Sequence, residues 1–263
     1  MRIGEFAKKQ YKTAENLNSR CNLHSYNINK VDWDNWCFSK MRFPKKAKIL
    51  EIGCGTGRLW SKNRQYLNKE WSITLADFSK GMLKSTKEEL EELNYNFMYK
   101  EFDIQSIPYE DESFDVVIAR HMLYLVPNIE KALFEIKRVL TRGGLFYATT
   151  NTPDAMYELN ELMKKFDPKI GLSNNGMGER FDSESGQLLL TKYFDKVKKD
   201  ILSGKIVVDK AEPVVSYKAS TIKGSTVLVG EKRQQLTKYI EDYIRENGNI
   251  SITTGACIFE AKK

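Results

Sequence analysis

The segment Glu51-Ile52-Gly53-Cys54-Gly55-Thr56-Gly57 constrains this chain more than any other. It follows a short apolar run, Ala47 to Leu50, behind Pro44-Lys45-Lys46. Three glycines at alternate positions carry no Cβ, so the turn reaches backbone angles closed to other residues and a ligand can lie directly on it. Asp77 follows Gly57 by 20 positions and closes a second apolar run, Trp71 to Ala76. Strand, glycine turn, helix, strand and acid is the layout of a nucleotide-binding α/β unit, with the acid placed for ribose hydroxyls. The spacing is G-x-G-x-G, not the dinucleotide G-x-G-x-x-G, and the absence of a following Lys-Ser or Lys-Thr argues against a phosphate loop. A plain strand-to-helix connection uses such a turn too, so the rest of the chain must decide.

The pattern beyond the turn repeats strand and helix. Strands are expected at Lys48 to Ile52, Trp71 to Ala76, Asn96 to Phe102, Phe114 to Ala119 and Leu145 to Thr150. A helix is expected from Arg58 to about Leu67. A second follows an N-cap at Ser79, with Met82, Leu83, Leu90 and Leu93 on its apolar face. Glu130 to Leu140 repeats apolar residues at helical spacing, and Arg142-Gly143-Gly144 stops it. Further strands are expected at Lys196 to Leu202 and Ile250 to Glu260, with largely helical sequence from Asp154 to Phe166, Pro213 to Ser220 and Val227 to Asn247. The fold class is therefore α/β, a doubly wound, mostly parallel seven-stranded sheet with an N-terminal helical cap and a C-terminal lid insertion. Residues 1–43 form the cap, 44–151 the nucleotide-binding core, 152–248 a lid and acceptor-binding insertion that includes part of the sheet, and 249–263 the last strand.

Composition narrows the setting. At 263 residues the chain buries a substantial core. Its 42 basic and 35 acidic side chains leave a formal charge of +7, scattered and interleaved, which does not mark a nucleic-acid surface. No stretch approaches a membrane span. Four separated cysteines and two histidines support neither a disulfide framework nor a metal site. A cytoplasmic setting is expected.

On these motifs the chain resembles class I S-adenosylmethionine-dependent methyltransferases of the small-molecule, type 11-like group. The resemblance covers roughly residues 45 to 150. It implies that Glu51, Gly53, Cys54, Gly55 and Gly57 wrap the methionine part of S-adenosyl-L-methionine, and that Asp77 accepts hydrogen bonds from both ribose hydroxyls. Asp77-Phe78-Ser79-Lys80-Gly81-Met82 is similar to the family's D-x-S-x-x-M, with Phe78 beside the cofactor and Met82 packed on adenine. Asp103-Ile104 matches the pair that reads the adenine amino group and covers the ring. Arg120 and the residues after it sit where the fourth strand opens onto the sulfonium. The segment around Tyr11, Tyr26, Asn27, Trp33 and Trp36 is similar to the cap of related enzymes. Tyr11, Tyr26 and Trp36 would then close over the cofactor, or the cap would only bury one edge of the sheet.

Two candidate catalytic residues stand at the end of the fourth strand. His121 suits proton removal, because an ordinary imidazole titrates near neutrality. A positioning role for it is the alternative. Tyr124 would place the acceptor. No Asn-Pro-Pro-Tyr or Asp-Pro-Pro-Tyr run follows that strand, and no basic and aromatic RNA-binding module flanks the core, so a small-molecule methyl acceptor is expected, with nucleic acid and membrane disfavoured. The chain is expected to act as a monomer or homodimer. RNA methylation and cofactor binding without catalysis are the competing readings.

Overall fold

Seven strands form one sheet. They are β1 (Lys48–Ile52), β2 (Ser72–Asp77), β3 (Met98–Glu101), β4 (Phe114–Arg120), β5 (Leu140–Asn151), β6 (Lys196–Val208) and β7 (Ile250–Lys262). The computed structural model describes residues 15–171, 178–221 and 223–263. The strand order is β3-β2-β1-β4-β5-β7-β6. Strands β1 to β5 run parallel, and β7 lies antiparallel between β5 and β6. Strand order reverses between β1 and β4. Connections there leave in opposite directions and open a crevice beyond the carboxyl ends, where α/β sheets bind ligands.

The central strands are near-continuous apolar runs because helices cover both faces. In β1, every residue after Lys48 is buried, Glu51 included. Ser79 caps the helix Lys80–Leu90, its Oγ accepting from Met82 N–H at 3.3 Å. Asn128 caps Ile129–Val139 in the same way, at 2.9 Å to Lys131 N–H. Two expected boundaries differ. The helix from Arg58 ends at Lys62 and continues as a short 3₁₀ turn, Arg64–Tyr66. Arg142-Gly143-Gly144 lies inside β5 as an irregularity, because Phe114 pairs with Leu140 and Val116 already with Leu145.

β6 runs to Val208, six residues past its expected end at Leu202. Ser203-Gly204-Lys205 looks like a break, but β7 continues opposite it and keeps the ladder paired. β5 pairs with β7 only over residues 256–262 of the latter. Beyond that, β6 and β7 project as a two-stranded ribbon. The helices Ala211–Ala219 and Gly230–Asn247 lie between the two strands in sequence. Ile206, Val208, Ile250 and Ile252 of the ribbon pack with Val214, Leu236 and Leu159 in a second apolar core, separate from those on the sheet. The cap helix Glu15–His24 adds Leu23 to this core. Ribbon and cap are joined at Gly204, where a Cβ would stand 2.6 to 2.8 Å from side-chain atoms of Asn27 and Asn29. Among the described residues no helix is long and apolar enough to cross a membrane.

Gly57 caps the helix Arg58–Lys62 at φ 77, and a Cβ there would stand 2.9 Å from Thr86 Cγ2 and 3.1 Å from Leu90. Gly57→Ala should cost about 2–4 kcal/mol, combining left-handed strain with overpacking. Urea unfolding measures this, and an unchanged midpoint would refute the assigned packing.

Candidate active site

A cavity of about 1090 Å³ opens at the switch point. It exceeds the roughly 300–1,000 Å³ usual for one ligand. One end is built by the turn after β1, the end of β2 and the segment after β3. Gly53 and Gly55 hold φ values of 70 and 61 and turn their backbone along the wall, with Cys54 between them. Asp77 ends β2 and is 4% exposed. Its Oδ1 accepts from Ser79 N–H at 2.9 Å and its Oδ2 from Gly55 N–H at 3.3 Å. Among the described residues no Lys or Arg pairs with it. Burial therefore pushes its carboxyl up to about 6, against those backbone donors. A buried acid with spare lone pairs and no counter-ion fits a ligand that brings hydroxyl donors. Phe78, Met82 and Ile104 supply apolar wall beside it, and Asp103 adds a carboxylate that also accepts from Gln105 N–H and Nε2.

The opposite end begins at Arg120, the last residue of β4. Its Nη1 lies 2.7 Å from Asp34 Oδ1 and its Nε 3.1 Å from Glu51 Oε1. Arg58 Nε reaches the other Asp34 oxygen at 3.2 Å. Burial would raise the Asp34 carboxyl, but the Arg120 and Arg58 guanidiniums outweigh it and hold it below the ordinary range. Glu51 is fully buried and also accepts from Trp60 Nε1 at 2.7 Å. It does not line the cavity, contrary to the role its motif implies, because both oxygens are engaged inside the protein. Gly57 is also off the cavity, facing Thr86 and Leu90.

Of the cap aromatics, Tyr26 packs against the second core and Trp36 stacks on Trp33 at 5.2 Å with Lys40 over its ring. Neither lines the cavity. Tyr11 lies outside the described residues. Trp33 itself lines the cavity, its ring 5.3 Å from that of His121. His121 holds φ 49, with its N–H on Thr149 O and Oγ1 at 3.0 and 3.1 Å. Burial, reinforced by Arg120, pushes its imidazole down to about 3. It is therefore neutral at pH 7 and weakly basic. Tyr124 lines the cavity from the turn Leu123–Leu125, and its carbonyl accepts from Arg180 Nη1. The structure adds His24, Asp34, Arg58, Asn151 and Tyr217 to the wall. No sequence motif marks Asp34 or Tyr217, since the packing of cap and ribbon alone brings them to the crevice.

Residues 50–148 match the family model described as a methyltransferase domain. The chain is 28% identical over 169 residues to the ubiquinone/menaquinone biosynthesis C-methyltransferase UbiE of Idiomarina loihiensis, covering 64% of this chain and 66% of that one. It is 32% identical over 124 residues to a demethylmenaquinone methyltransferase of Staphylococcus epidermidis, covering 47% of this chain and 51% of that one. In neither case does the match reach two thirds of the relative's length. A Bacillus halodurans structure provisionally named a methyltransferase shares the fold at 17% identity, with a TM-score of 0.61 over 88% of this chain and 98% of its own.

Asp34→Asn would leave two arginines facing one buried glutamate. Breaking a buried pair in this way should cost about 3–5 kcal/mol in urea unfolding. A loss below about 1 kcal/mol, the range of exposed pairs, would show that solvent screens the cluster.

Proposed function

We propose that the chain transfers the methyl group of S-adenosylmethionine to a small-molecule acceptor by in-line displacement. The observation that carries this reading is Asp77, a buried acid without a counter-ion among the described residues, facing a glycine turn in a cavity with room for a second molecule. The domain match and the names of the relatives support it. When bound, the cofactor supplies a methyl group already activated on a sulfonium. The chain has to hold the two molecules in line and keep water out, which supplies much of the rate.

The backbone of Gly53 to Gly55 would receive the amino-acid portion. Asp77 would accept from the two ribose hydroxyls, and Asp103 with Ile104 and Met82 would hold the purine. Arg120 keeps the cap helix over the junction through Asp34, so Trp33 covers His121. His121 would stay neutral and orient the acceptor or take up its proton late in the reaction. Tyr124 would bound the space in which the acceptor lies.

Ribose hydroxyls stabilise the ionised form of Asp77, so binding should release a proton. Affinity for S-adenosylhomocysteine should rise as pH increases through about 6 and level off above it. In the free protein the sign is opposite, because the raised carboxyl favours folding below its unfolded value and that benefit is lost as pH climbs through about 6. Asp77→Asn should therefore raise the Tm of the free protein at pH 7.5 while abolishing the stabilisation by S-adenosylhomocysteine. Calorimetry and thermal unfolding test both halves. A variant that binds normally, or wild-type protein that does not bind, would exclude the assignment.

A further inference from the structure

The chamber beyond the end of β4 has its charge cancelled from within. Asp34 and Glu51 carry two negative charges, and Arg58 and Arg120 two positive ones, joined by bonds of 2.7 to 3.2 Å. Asp32 uses its Oδ1 to cap a helix, accepting from Asn35 N–H at 2.9 Å. Arg20 directs Nε and Nη2 at the hydroxyl and carbonyl of Ser220. An ion taken from water into such a space needs a partner of opposite charge; the four charges of the cluster are committed to one another, and Asp32 and Arg20, of opposite sign, add no net charge.

Neutral groups line the chamber beside these charges. They are the imidazoles of His24 and His121, the indole of Trp33 and the amide of Asn151. Among the described residues, nothing hydrogen-bonds either imidazole ring or the Asn151 side chain. His24 lines the cavity and is exposed, and the protein packed around its ring holds its imidazole below the ordinary value. The two histidines lie close enough for the charge of one to disfavour charge on the other. Each neutral ring keeps one donor and one acceptor. Trp33 adds a flat apolar surface 5.3 Å from His121, and Tyr217 stands edge-on to His24 at 6.3 Å.

Building on the methyl-transfer reading, we propose that the acceptor is an uncharged planar aromatic molecule with a weakly acidic O–H or ring N–H, laid against Trp33 and hydrogen-bonded by His121 and His24. The lone pair of that oxygen, or of an imine-type ring nitrogen conjugated with the N–H, forms the bond to the methyl carbon. The carbon–sulfur bond breaks with its electron pair left on sulfur. The proton passes to an imidazole and from there to water. A weakly basic imidazole suffices, because alkylated hydroxyl oxygen or ring nitrogen becomes strongly acidic as the new bond forms. An alkyl amine does not suit this chamber. It would arrive as ammonium, and the buried carboxylates beside this chamber, Asp34 and Glu51, already serve arginines.

The test uses the full chain saturated with S-adenosylhomocysteine at pH 7.5 and three probes of one shape, 2-naphthol, 2-naphthoate and naphthalen-2-ylmethylammonium. By calorimetry, 2-naphthol should bind at least about tenfold more tightly than either ion, the desolvation cost of an unpaired charge. Trp33→Leu and His24→Gln should each weaken 2-naphthol by about fivefold or more, with the S-adenosylhomocysteine Kd held within about twofold. An ion that binds as well as 2-naphthol overturns the inference, as does a 2-naphthol affinity indifferent to both substitutions. Failure of S-adenosylhomocysteine itself to bind is a separate result, and it removes the methyl-transfer reading together with the inference.

Discussion

Arg120 ties the sheet to everything above it. It closes β4, one of the two strands at the switch point, and its guanidinium spans Glu51 on β1 and Asp34 on the cap helix. Neither acid would tolerate burial alone, and the arginine would not tolerate it without them. The link has geometric consequences. The cap helix Trp33–Lys40 is held at the carboxyl edge, which brings Trp33 over His121. The polar ends of β1 and β4 are satisfied within the protein, so the crevice wall between them holds little free charge. A buried ion pair is weak ground for overall stability, but it fixes orientation, and here it decides where the cap comes to rest.

Asp77 makes the opposite bargain. Among the described residues it meets only backbone donors, and its raised carboxyl disfavours the ligand-free fold near neutral pH. A counter-ion would cure that and, on the proposed reading, fill the space of the ribose. The ends of two adjacent strands thus hold acids of opposite design. Glu51 is satisfied by its own chain, whereas Asp77 waits for donors from outside.

Much of the core was legible because its signals are local. A parallel strand buried on both faces must be apolar throughout, so β1, β2 and β4 stand out as short runs. The glycine turn and the Ser79 cap follow from backbone chemistry within a few residues. Asp77, Met82, Asp103 and Ile104, each picked out by a local motif, lie on the cavity wall. The misplaced residues depend on distant packing. Glu51 belongs to the same motif, but Arg120 is 69 positions away, and their bond follows from the register of β1 with β4. Tyr26 and Trp36 are aromatic residues in a cap, which says nothing of direction, and they turn to the second core and to a surface lysine. The extended ribbon was hidden by Gly204, whose missing side chain makes way for Asn27 and Asn29 and does not end the strand.

The ribbon has a bearing on how such a protein can diversify. Val208 and Ile250 are paired neighbours, so the chain between them leaves and returns at one place. Segments with adjacent ends can be lengthened or replaced at small entropic cost to the remainder. The helical tip contributes Tyr217 and Thr221 to the cavity wall, which the glycine turn and Asp77 line from the core. On the methyl-transfer reading, a graft of residues 211–247 would therefore alter the acceptor's surroundings and leave the glycine turn and Asp77 untouched.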